Sequence, residues 1–233
     1  MDSQFEIAEW YNAKNANYKE DLEFYKTSLS HNYPVVEFGS GTGRLSLYLI
    51  KNGFECYGIE SKKEYADYLE ERLFDLNYNY RFHISIKSIE RKNAQLILPC
   101  NFLFYLDEAK MKRLFSEISK MNFHQILFDV DNITTDISSK NLKAINFLFK
   151  GEVAYEKPLL IGENRVQVKE FITKERCVNE FILHLHKSKN ILNEVKSCLQ
   201  IENLFGDFGK QEYKKESKKL IGRMKKRTRH TIE

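Results

Sequence analysis

Proline is scarce in this chain: only Pro34, Pro99 and Pro158 occur among 233 residues. No proline- or glycine-rich stretch divides it, so composition offers no linker between domains. Cysteine is sparse as well. Cys56, Cys100, Cys177 and Cys198 lie far apart without metal-ligand spacing, which excludes a cysteine-based zinc site and predicts reduced thiols in a cytoplasm. No segment approaches the roughly twenty apolar residues of a membrane helix. Met1 to Trp10 carries acids and no long apolar run, which predicts neither a signal peptide nor a membrane anchor. Glycine numbers ten, yet three of the ten fall within five positions.

Those three belong to Val35-Val36-Glu37-Phe38-Gly39-Ser40-Gly41-Thr42-Gly43-Arg44. An apolar run ends in an acid and breaks into alternating glycines before a helical pattern, which reads as a buried strand feeding a binding loop. Glycine takes backbone angles closed to other residues and lets the main chain approach a ligand without an intervening Cβ. The spacing discriminates among cofactors. A dinucleotide fingerprint is G-x-G-x-x-G, whereas here Arg44 stands where the third glycine would be. A P-loop is excluded because no Gly-Lys-Ser/Thr follows. The second strand ends in Glu60, about twenty residues after the first glycine, where an acid can accept hydrogen bonds from ribose hydroxyls.

This combination resembles the class I S-adenosylmethionine-dependent methyltransferases, whose first motif is an acid, a hydrophobe and G-x-G-x-G. Glu37, Gly39, Gly41 and Gly43 match it, and Glu60 matches the ribose-binding acid. The resemblance implies that Glu37, Gly39, Ser40, Gly41, Gly43, Arg44, Glu60, Ser61, Ser85, Ile86 and Pro99 hold S-adenosylmethionine, and that S-adenosylhomocysteine is the product. No metal is expected. Leu96 to Leu106 is similar to the family's fourth strand and following loop, where Pro-x-Asn lies next to the transferring methyl. Glu202 to Phe208 and Lys218 to Gly222 resemble its last two strands. The acid that many relatives place after the third strand is missing, so that Ser85, Ser88 or main chain would read the adenine.

The fold expected is α/β: a doubly wound, mostly parallel seven-stranded sheet with N-terminal lid helices and an inserted antiparallel hairpin. A single domain is divided as lid helices in 1–32, a cofactor-binding core in 33–150, an antiparallel insertion over the substrate in 151–187, a closing helix and strands in 188–226 and a basic tail in 227–233. Helical spacing marks Phe5 to Tyr11, Asp21 to Leu29, Leu45 to Lys51, Lys62 to Phe74, Glu108 to Met121 and Ile191 to Leu199. Strands are predicted at Phe54 to Ile59, Arg81 to Ile86, Gln95 to Pro99, Gln125 to Val130, Ile201 to Phe205 and Leu220 to Met224. Val166 to Ile172 and Val178 to His186 break the alternation as a hairpin. Glu37, Glu60, Asn101 and Asp129 fall near strand carboxyl ends, where such sheets bind ligands.

Methyl transfer asks mainly that a nucleophile be held in line with the methyl and water excluded. Asn101, Tyr11, Tyr105 and Glu170 are the candidate catalytic residues. Asn101 would orient an amine or hydroxyl, or else close a turn. Tyr11 and Tyr18 would contact the cofactor from the lid, or pack its helices onto the sheet. His124, Glu170, His184 and His186 are candidate bases. Pro99-Cys100 occupies the place where cytosine-C5 methyltransferases keep a thiolate, although a cysteine in an apolar context is also a small core residue.

The acceptor expected is a small molecule bound by a monomer or homodimer, without a membrane. Lys214, Lys215, Lys218, Lys219, Arg223, Lys225, Lys226, Arg227 and Arg229 offer nucleic acid as the competing partner, or a solvated edge strand and frayed end.

Overall fold

The computed structural model describes residues 5–75, 81–83, 93–135, 142–173 and 176–227. Two N-terminal helices, α1 (Glu6–Asn15) and α2 (Glu20–Ser28), precede an alternating series. Its members are β1 (Val35–Phe38), α3 (Arg44–Lys51), β2 (Cys56–Ile59), α4 (Lys63–Asp75), β3 (Arg81–His83), β4 (Ala94–Leu98), α5 (Glu108–Lys120) and β5 (Phe123–Asp131). Four further strands follow: β6 (Ile145–Phe149), β7 (Glu152–Gly162), β8 (Arg165–Phe171) and β9 (Cys177–His184). The chain closes with α6 (Ser188–Cys198), β10 (Leu199–Phe205) and β11 (Lys219–Lys226). Among the described residues no helix is long and apolar enough to cross a membrane.

The main sheet has seven strands in the order β10-β11-β5-β4-β1-β2-β3. β1 to β5 pair in parallel, while β11 runs antiparallel to β5 and β10 antiparallel to β11. Runs such as Ala94–Leu98 are buried along their whole length, as expected where helices cover both faces. On one face Val36, Leu96, Leu98 and Phe128 meet Met111 and Phe115 of α5 and Ile191 and Val195 of α6. On the other, Val35, Ile97 and Leu127 meet Phe24 and Tyr25 of α2 and Leu45 and Leu49 of α3. The order reverses between β1 and β4, which opens a crevice at their carboxyl ends.

The antiparallel insertion is a four-stranded sheet, β6-β7-β8-β9, rather than the hairpin alone. The expected pair is its β8 and β9. β6 and β7 extend it back to Ile145, ahead of the boundary expected at 151. They are joined by Lys150 and Gly151, both with positive φ, as a tight two-residue hairpin requires. Trp10 of α1 packs on this sheet with Phe149, Ala154 and Ile172. β11 lies between β10 and β5, so the basic closing strand is interior and not an edge.

Gly43, the N-cap of α3, has φ +82°, and a Cβ there would overlap Leu69 of α4. Gly43→Ala is expected to destabilise the fold by about 1 to 3 kcal/mol, measured by urea denaturation.

Candidate active site

The three loop glycines do different work. All have positive φ. A Cβ at Gly39 would lie 2.7 Å from the Phe102 ring, and one at Gly43 would strike Leu69; these two glycines permit packing. A Cβ at Gly41 would meet nothing nearer than 3.9 Å, so the space beside Gly41 belongs to the crevice. The loop is fastened to β2: Gly39 N and Ser40 N donate to Ile59 O at 2.8 and 3.3 Å. Glu60 completes it, accepting from Gly41 N through Oε2 and from Lys62 N through Oε1, both at 2.8 Å.

Two cavities meet above these strand ends. Gly39, Gly41, Glu60 and Ser61 line one side of the first, and Tyr65, Glu170, Asn179 and Phe181 another. A small recess behind it is bounded by Glu37, Ser40, Arg44 and Pro99. The Ser40 hydroxyl is buried without a partner. The second cavity, of about 680 Å³, is lined by Lys14, Tyr18, Asn101, Asp131, Glu156 and Lys219, among others. Tyr11, Cys100, Tyr105 and Phe181 line both and form the seam between them.

The sequence matches no protein-family model and no curated protein. Solved structures do match. An S-adenosylmethionine-dependent methyltransferase from Clostridium acetobutylicum superposes with a TM-score of 0.71 at 13% identity, covering 94% of this chain and 96% of that one. The CcbJ methyltransferase from Streptomyces caelestis gives 0.69 at 14% identity over 93% and 90%. The glycopeptide N-methyltransferase MtfA, complexed with S-adenosylmethionine, gives 0.56 at 13% identity over 91% and 96%. The fold is that of the class I S-adenosylmethionine-dependent methyltransferases.

Within this methyltransferase fold the charged groups nearest the loop are tied to one another. Arg44 binds Asp21 of α2 through both terminal nitrogens and also donates to Tyr18 O at 3.0 Å and Cys100 Sγ at 2.8 Å. Its guanidinium is therefore held at the back of the recess, between Asp21 and Cys100. Burial pushes the Cys100 thiol well above its ordinary value, with Asp129 adding to the effect, the opposite of what a nucleophilic thiolate needs. Asp129 is fully buried beneath the site and lines neither cavity. It accepts from Tyr25 Oη at 2.7 Å and Cys100 N at 3.0 Å.

Other expected residues are distributed unevenly. Tyr11, Tyr105 and Glu170 come together on the first cavity with the glycine loop. Asn101 faces the second cavity, and its side chain is engaged with Asp131, donating to Oδ2 at 3.0 Å and accepting from the backbone N at 2.6 Å. His124 stacks on Tyr33 at the amino end of β5, opposite the crevice, and is not positioned as a base. The His186 ring contacts Leu106 O, and the His184 ring lies 6.4 Å from it; neither lines the two cavities. Ser85, Ile86 and Ser88 lie outside the described residues. Tyr65, Asn179 and Phe181 escaped the sequence reading. Position gives the first of them a signal, since Tyr65 stands in the opening turn of α4 just beyond Glu60.

Glu37, at the end of β1, accepts a hydrogen bond from Ser46. Burial pushes its carboxyl up to about 8, against the opposing pull of Ser46 and Arg44. A folded-state value above the unfolded one stabilises the protein at low pH, and that contribution is lost as pH rises through about 8. The ligand-free protein is thus expected to lose stability between about pH 5 and 8, and Glu37→Gln should flatten that slope in urea titrations across the range.

Proposed function

We propose that the protein transfers the methyl group of S-adenosylmethionine to nitrogen or oxygen of a small molecule. The observation that carries this reading is the pairing of Gly41 with Glu60: a glycine whose missing Cβ leaves room for a ligand, beside a carboxylate at the end of β2. Glu60, with Ser61 next to it, would hold the ribose hydroxyls. The loop backbone and the unpartnered Ser40 hydroxyl would hold the methionine portion, in the recess with Glu37 and Pro99. When bound, the cofactor supplies an activated sulfonium methyl that needs no metal. The residues of the seam, Tyr11, Cys100, Tyr105 and Phe181, would exclude water and hold the acceptor in line. Proximity of this kind can contribute about 7 to 11 kcal/mol to a bimolecular reaction.

A dinucleotide is disfavoured because Arg44 replaces the third glycine and its charge is taken by Asp21. Nucleic acid is disfavoured because described basic residues near the end of the chain serve the fold. Lys219 pairs with Asp131 at 2.8 Å and Lys225 with Glu202 at 2.9 Å. Lys226 donates to Met121 O, and Arg227 to Leu199 O and Lys196 O.

Calorimetry is expected to show binding of S-adenosylmethionine and S-adenosylhomocysteine but not NAD; preference for NAD would overturn the proposal. Glu60→Ala should weaken binding by about 1 to 3 kcal/mol. Gly41→Val should abolish it while the unfolding transition stays cooperative, since the branched side chain enters the crevice and not the core. Binding without transfer to any acceptor in a metabolite pool, traced with a labelled methyl, would mark a non-catalytic cofactor-binding protein.

Removal of the residues after Arg227 is expected to leave turnover on an identified acceptor unchanged and insensitive to salt. Loss of turnover in the truncated protein, with acceptor affinity that falls steeply with salt, would favour nucleic acid.

A further inference from the structure

We infer that the methyl acceptor is an amine, held at its reacting nitrogen by Glu170 within a box of aromatic rings. This deepens the methyltransferase reading and rests on it. Glu170 is 1% exposed yet lines the first cavity. Its Oε1 accepts from Lys14 Nζ at 3.1 Å and its Oε2 from Asn179 Nδ2 at 2.6 Å. Lys14 is shared with Glu156, which lines the second cavity, so two carboxylates share one ammonium where the cavities join. The negative charge is felt inside: after burial, Glu170 is the largest influence raising the hydroxyls of both Tyr65 and Tyr105.

The rings beside these carboxylates already carry ammonium groups. Lys62 Nζ lies 5.0 Å from the centre of Tyr65 and 5.9 Å from that of Phe181. Lys14 Nζ lies 5.9 Å from that of Tyr11. These are cation–π distances, made by residues lining the two cavities. The Tyr18 hydroxyl, buried and unpartnered at the second cavity, remains to bind the body of the acceptor.

Charge flow separates nitrogen from oxygen. A neutral amine attacks the methyl carbon with its lone pair; the C–N bond forms as the C–S bond breaks, and that electron pair stays on sulfur. Positive charge passes from sulfur to nitrogen, where Glu170 and the ring faces stabilise it as it grows. The product ammonium gives up its proton to water after release. A hydroxyl acceptor would instead require a base to take its proton during transfer. Among the described residues every carboxylate lining the two cavities is engaged: Glu170 by Lys14 and Asn179, Glu156 by Lys14, Glu60 by two backbone N–H groups, and Asp131 by Asn101 and Lys219.

Choline and its uncharged isostere 3,3-dimethylbutan-1-ol test this by calorimetry on the full chain saturated with S-adenosylhomocysteine. Failure of the wild type to bind S-adenosylhomocysteine overturns the methyltransferase reading and this inference with it. With it bound, choline is expected to bind at least about tenfold more tightly than the isostere. Glu170→Gln should remove that preference while retaining S-adenosylhomocysteine binding. Phe181→Leu, at a partly exposed position, should reduce the preference if Glu170→Gln does not fold. A labelled-methyl assay should favour benzylamine over benzyl alcohol. Equal affinities, no binding of either probe, a preference that survives both substitutions, or faster transfer to the alcohol would overturn the inference.

Discussion

Asp21 and Arg44 meet in a bidentate ion pair beneath the crevice, with the Asp21 side chain fully buried and Arg44 at 17% side-chain exposure. Arg44 is the first residue of α3, directly after the glycine loop; Asp21 lies in α2; and the same guanidinium reaches Cys100 at the end of β4. One cation therefore joins the N-terminal helices, the loop and the strand end across the switch point. Two charges withdrawn from water cost several kcal/mol each unless their geometry and hydrogen bonds compensate. Here Tyr18 O, the Cys100 sulfur and the Tyr18 ring, 4.9 Å from the guanidinium carbon, supply the remaining contacts. Removing one partner would strand the other, a loss of about 3 to 5 kcal/mol, and would free the loop from the helices that cover it.

A second constraint sets the wall that the antiparallel sheet presents to the cavities. Trp10 is buried on the antiparallel sheet and donates through Nε1 to Phe171 O at 3.2 Å. Its neighbour Tyr11 is thereby placed on the seam between the cavities. Lys14, one turn on, binds Glu156 of β7 and Glu170 of β8. The insertion and α1 thus form one unit facing the parallel sheet, and the residues that close the first cavity are the residues that shape the second.

Much of this was legible in the chain. The parallel strands, their helices and the glycine loop follow from apolar runs and glycine spacing, because a buried strand and a left-handed turn each leave a local signature. The β6–β7 hairpin was harder to read. Pro158 argues against a strand, yet β6 pairs only with residues 152–156, so Pro158 has no β6 partner to satisfy on that side. The Lys150-Gly151 turn was the available signal. Asn101 fitted a family motif, but its amide is occupied by Asp131, a tertiary contact with no trace in local pattern. Arg44 was assigned to the cofactor from its place beside the loop, and it does bound the recess there, but its pairing with Asp21, 23 residues earlier, leaves no trace in local pattern. His124 read as chemically able, although its place just before the strand expected at Gln125 to Val130 already set it at the amino end of the sheet, where the structure finds it.

The crevice beside Gly41 and Glu60 is the place proposed for the adenosyl group. A crystal structure of the protein with S-adenosylhomocysteine tests it most directly. Ribose hydroxyls are expected on Glu60, the homocysteine portion against Ser40 in the recess behind Gly39, and the sulfur directed toward the seam of Tyr11, Cys100, Tyr105 and Phe181. A ligand bound elsewhere, or a Glu60 that keeps its hydrogen bonds to the loop and leaves the ribose without a partner, would contradict it.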